Sequence, residues 1–66
     1  MDEFKAELNA KSADEVREEV IFRVMMVNMI DREDATYIVD EMVAGDMSTD
    51  DFGSRAKAMI ERIARG

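Results

Sequence analysis

Apolar residues recur along most of this chain at the three- and four-residue intervals of an α-helix. Placed at about 100° per residue, Ala35, Ile38, Val39, Met42 and Val43 share one stripe, with Thr36, Asp40 and Glu41 on the other side. Phe52, Ala56, Met59, Ile60 and Ile63 form a second stripe, opposite Lys57, Glu61 and Arg65. Both are ordinary core faces. In the N-terminal segment only Phe4 and Leu8 share a side, so a helix there is expected to dock weakly or fray.

The segment between these has two apolar stripes. Val16, Val20, Val24 and Val27 fall within about 80° of arc, and Phe22, Met25, Met26 and Met29 occupy about 100° on roughly the opposite side. Stiff β-branched side chains line one face and flexible ones line the other. Val20 to Ile30 alone has the composition of a strand, but its continuity with the upstream Ser-Ala-Asp-Glu and the absence of turn residues make it helix. A helix apolar on all sides must be covered on all sides. Two other substantial helices and one short one are available to do it, and in so short a chain the Phe and Met face is expected to be left for another copy or another protein.

Helix ends are marked by caps, because the chain has no proline and three glycines. Ser12 followed by Glu15 is a capping box, in which the hydroxyl accepts from an amide of the first turn and the carboxylate reaches back to the cap amide. Asp31 with Glu33 and Asp34 gives a second acidic start, and Gly45 sits where a left-handed residue closes a helix. Ser48 or Thr49 is expected to open the last helix, with Asp50 and Asp51 in its first turn. The predicted architecture is all-α and a single domain over 1–66. Three principal helices span about 13–30, 32–44 and 50–64, and a short N-terminal helix spans about 3–10.

Composition removes most chemistry. The chain has 66 residues, no cysteine and no histidine, so there is no disulfide, no thiolate metal site and no imidazole base. Ser12, Ser48, Ser54, Thr36 and Thr49 therefore lack the usual activating partner, and three or four short helices enclose little space in which paired carboxylates could separate their pKa values. A calcium loop counted from Asp46 fails at its sixth position, Asp51, where glycine is required, and at its twelfth, Lys57, where a bidentate glutamate is required. In Gly45-Asp46-Met47-Ser48 a methionine separates the aspartate and serine that a phosphopantetheine carrier sets side by side. No enzyme activity, cofactor or metal is expected.

The formal charge is −7, divided into −10 over residues 1–52 and +3 over 53–66. Such a chain repels phosphate backbones and anionic headgroups, so neither direct nucleic-acid binding nor membrane association is expected. The acidic start, the lack of an apolar leader and the lack of cysteine point to the cytoplasm. Setting aside Met1, the six methionines Met25, Met26, Met29, Met42, Met47 and Met59 against a single leucine are more than gap filling accounts for, and polarisable thioethers suit surfaces that repack against partners.

These features together predict a non-enzymatic interaction or regulatory protein, homodimeric, that docks through Phe22, Met25, Met26 and Met29, with Tyr37 as a further contact. The alternative is an acidic nucleic-acid mimic that inhibits a DNA- or RNA-binding protein through Asp31, Glu33, Asp34, Asp40, Glu41, Asp46, Asp50 and Asp51.

Overall fold

The computed structural model describes residues 3–66 and is all-helical over them. In order it comprises α1 (Glu3–Ala10), α2 (Ala13–Asn28), α3 (Arg32–Ala44), a 3-10 turn (Asp50–Phe52) and α4 (Ser54–Arg65). No strand occurs among the described residues.

The starts of α2 and α3 are built by local side chains. Ser12 is extended and its Oγ accepts from the Glu15 amide at 3.2 Å, while Glu15 Oε1 accepts from the Ser12 amide at 3.5 Å. At the next start Asp31 Oδ1 accepts from the Asp34 amide at 3.0 Å. That cap needs Asp31 extended, so the chain must reverse within Met29 to Asp31. It does so by ending α2 two residues earlier than expected, at Asn28, with Met29 left-handed (φ 53, ψ 46). Gly45 closes α3 at φ 87, its amide donating to the Glu41 and Met42 carbonyls.

The last helix departs from expectation. Asp50 and Asp51 lie in the 3-10 turn and not in the first turn of α4, and Thr49 makes no capping bond. The Ser48 hydroxyl instead accepts from the Asp50 amide at 3.2 Å. Gly53 then adopts φ 94, ψ 154, a conformation that only glycine reaches without strain, and α4 starts at Ser54. Phe52 still packs against the core, from the turn and not from the helix.

α2 is the central element. Val16, Val20 and Val24 are fully buried, together with Ile21, Ala35 and Val39, Leu8 and Ile60 are nearly so, and no polar residue among those described joins them. Burying each valine contributes roughly 1.5–2 kcal/mol gross. Ile21 belongs to neither predicted stripe. It is buried because α3 covers that flank, where Arg17 pairs with Asp40. Val27 corrects the predicted core stripe in the other direction, since it is exposed.

α1 docks firmly enough to bury Leu8, and the Arg55 guanidinium lies 5.1 Å from the centre of the Phe4 ring. Arg62 Nη2 donates to the Lys11 carbonyl at 2.9 Å, tying the α1–α2 corner to α4. The exposed pairs Lys11–Glu19 (2.7 Å) and Arg32–Glu18 (2.6 Å) add little to stability. No helix among the described residues is long and apolar enough to cross a membrane.

Candidate interaction surface

With α3 on one flank of α2 and α4 on the other, the uncovered arc of α2 changes character along its length. Its first half carries Glu15, Glu18 and Glu19, all exposed, and its second half carries Phe22 and Met26. Phe22 is 53% exposed, Met26 66%, Val27 67% and Met29 91%. Met25 is half-buried and packs against the core, so it belongs to this surface less than Phe22 and Met26 do. Beside them runs a shallow groove between α2 and α4, lined by Glu19, Phe22, Arg23, Met26 and Met59.

Phe22, Met26 and Met29 together expose roughly 400 Å², within the range of the largest patch on an ordinary monomer, and Val27 adds exposed surface on the other side of the same helix end. The whole chain exposes 4654 Å². A folded monomer of 7.5 kDa is expected to expose about 4,250 Å², so the chain exposes somewhat more surface than the average for its size.

Met29 adds a second peculiarity. It is the one non-glycine residue with positive φ among those described, and its side chain finds almost no cover. A left-handed residue with a Cβ is about 1–2 kcal/mol less favourable than a right-handed one. The neighbouring Asn28 amide side chain donates to the Val24 carbonyl at 3.1 Å, within the last turn of α2.

Tyr37 does not line the groove. It is 64% exposed on the outer face of α3, where its hydroxyl bonds the Glu41 carboxylate, and that bond, reinforced by the carboxylate charge, raises the phenol pKa above its ordinary 10.0. The acidic residues disperse into structural roles: Asp31 caps α3, Asp40 pairs with Arg17, and Asp50 lies 3.6 Å from Lys57. Glu33, Asp34, Asp40 and Glu41 remain on the solvent side of α3 around Tyr37, while Asp46 and Asp51 sit in the α3–α4 connection. No three carboxylates among the described residues converge on a point that would hold a metal ion.

Two residues of this surface escape a reading of the sequence, Met59, which periodicity assigns to an ordinary core stripe, and Arg23 at the rim, and Val27, which periodicity assigns to the core, is exposed at the same end of α2. The signal that finds Val27 is its position in the last turn of the longest helix, where neighbouring helices run out.

Fold and surface together define a small all-helical protein with an apolar patch at one end of its central helix. Compared with protein-family models, with curated proteins and with solved structures, the chain matches none.

Proposed function

We propose that this chain is a small non-enzymatic docking protein, regulatory in role and cytoplasmic, that binds a protein surface through the apolar second half of α2. The supporting observation is the clustering of Phe22, Met26, Val27 and Met29, all more than half exposed, on one helix end of a molecule otherwise rich in charge. Phe22 and Met26 supply the anchors, Met59 the deformable floor, and Glu19 and Arg23 the polar rim.

The test is the double variant Met26→Lys, Met29→Lys. Both side chains project into solvent, so its thermal midpoint stays within a few degrees of wild type while chemical cross-linking to the bound protein in the source cell is lost. A variant that unfolds but still binds reverses the assignment and makes these residues structural.

A second reading, nucleic-acid mimicry, draws support from Glu33, Asp34, Asp40 and Glu41 on the outer side of α3. It predicts binding that weakens steeply from low to moderate salt, whereas docking through the apolar patch persists.

A further inference from the structure

We infer that the occupant of this face is a second copy of the same chain, laid antiparallel across it. The inference rests on the docking reading and specifies the partner.

Area is the first ground. Two such patches facing each other remove up to roughly 800 Å² from water, below a standard interface and in keeping with a weak, concentration-dependent pair.

The order of side chains along α2 is the second ground, and it also sets the direction. Glu15, Glu18 and Glu19 occupy the exposed arc of the first half, and Phe22 to Met29 contain a single charge, Arg23. A parallel pairing that brings the apolar halves together also lays the two sets of carboxylates against each other, in repulsion. An antiparallel pairing about a twofold axis between Met25 and Met26 superposes the apolar halves and sends the carboxylates to opposite ends, outside the contact. Phe22 of one copy then lies beside the Met29 end of the other, an aromatic ring against a thioether. Arg23 falls level with Asn28 of the second copy, so the one cation in this half meets a neutral amide. The surface is thus complementary to itself under one rotation, as an isologous interface requires.

Net charge then predicts the salt response. Each chain carries −7, so bringing two together costs long-range repulsion that salt screens, and self-pairing strengthens as ionic strength rises.

The absence of cysteine makes the register directly measurable, because a single introduced thiol is unique. Sedimentation equilibrium of the full chain over ~10 µM to ~1 mM is expected to show the mass rising from 7.5 kDa toward twice that value, more steeply in high salt, with Met26→Lys staying monomeric. Under mild oxidation Met26→Cys cross-links with itself. Phe22→Cys and Met29→Cys each remain single alone and cross-link to one another when mixed. Phe22→Cys self-linking as fast as Met26→Cys overturns the antiparallel arrangement. A wild type that stays monomeric at ~1 mM overturns self-pairing altogether. That result leaves the docking reading to the cellular cross-linking of the lysine double variant, which fails independently.

Discussion

Replacing Met29 by glycine separates its backbone role from the surface role proposed for it. Met29 ends α2 at φ 53, ψ 46, where most helices place glycine. Relieving the left-handed Cβ gains about 1–2 kcal/mol, and the greater freedom of glycine in the unfolded chain returns roughly half of that. The side chain is 91% exposed, so its removal opens no cavity and forfeits almost no packing. Met29→Gly is therefore expected to stabilise the isolated chain by ~0.5–1 kcal/mol, or ~3–6 °C in melting temperature for a domain of this size.

The assay is thermal and urea unfolding followed by circular dichroism, at concentrations low enough to suppress self-pairing. Met29→Ala is the control, because it removes the same side chain and keeps the left-handed Cβ, so its stability stays within ~0.3 kcal/mol of wild type. Both variants weaken association. Stability and association thus move in opposite directions for glycine, and only association moves for alanine. If both variants lose more than ~1 kcal/mol, the Met29 side chain supports the fold, and its place on a docking surface falls with that result.

Ile21→Ala, at the most voluminous of the fully buried positions, is expected to cost ~2–5 kcal/mol against a total of ~3–10 kcal/mol for a chain of this length, leaving it partly or wholly unfolded in the absence of denaturant. A urea midpoint close to wild type would refute its burial between α2 and α3. Gly53→Ala meets no atom within 4 Å of the new Cβ, so its loss of ~1–3 kcal/mol comes from backbone conformation alone; an unchanged midpoint with increased helicity would mean that 50–65 had joined into one helix. Glu41→Gln is expected to lower the Tyr37 pKa, read from tyrosinate absorbance during a pH titration. The Tyr37 value is raised in the folded chain, so its contribution is present below pH 10.0 and disappears as pH climbs through the raised value; the variant lacks this alkaline loss, and an identical phenol titration in both proteins would refute the bond.

Caps were the most legible features because the atoms that satisfy them lie three or four residues away. Ser12 with Glu15, Asp31 with Asp34, and Gly45 behave as their local chemistry demands, and α3 has the boundaries its pattern implies. The break at Gly53 was hidden because a glycine inside an apolar stripe costs a helix only ~1 kcal/mol and the 3.6-residue pattern runs across it unbroken. Ile21 was hidden for a different reason. Its angle on α2 lies between the two stripes, and whether that angle is wet or dry depends on which flank α3 occupies, a fact no single-helix pattern contains. The Phe22, Met26 and Met29 face was legible as a second apolar stripe. Its limits were not, since Met59 of α4 flanks it and Tyr37 stands apart.

The exposure of Val27 and the break at Gly53 are one structural event. α2 has 16 residues and is ~24 Å long, whereas α3 has 13 and α4 has 12, or ~20 Å and ~18 Å at the helical rise. Arg62 reaches the Lys11 carbonyl beside the start of α2, and Met59 lines a groove with Phe22 and Met26, so α4 runs antiparallel to α2 with its beginning toward the end of α2. Had the helix begun at Asp50, its first turn would have lain against the level of Met26 and Val27. Gly53 diverts the chain there, and the final turn of α2 is left about one turn beyond its cover. The residues on that turn are nonetheless Met26, Val27 and Met29, not the carboxylates that fill the first half of the same arc. A turn left to water by chain geometry alone would be expected to carry the polar residues that dominate the rest of this surface. Its apolar composition is the ground on which a docking role is proposed for it.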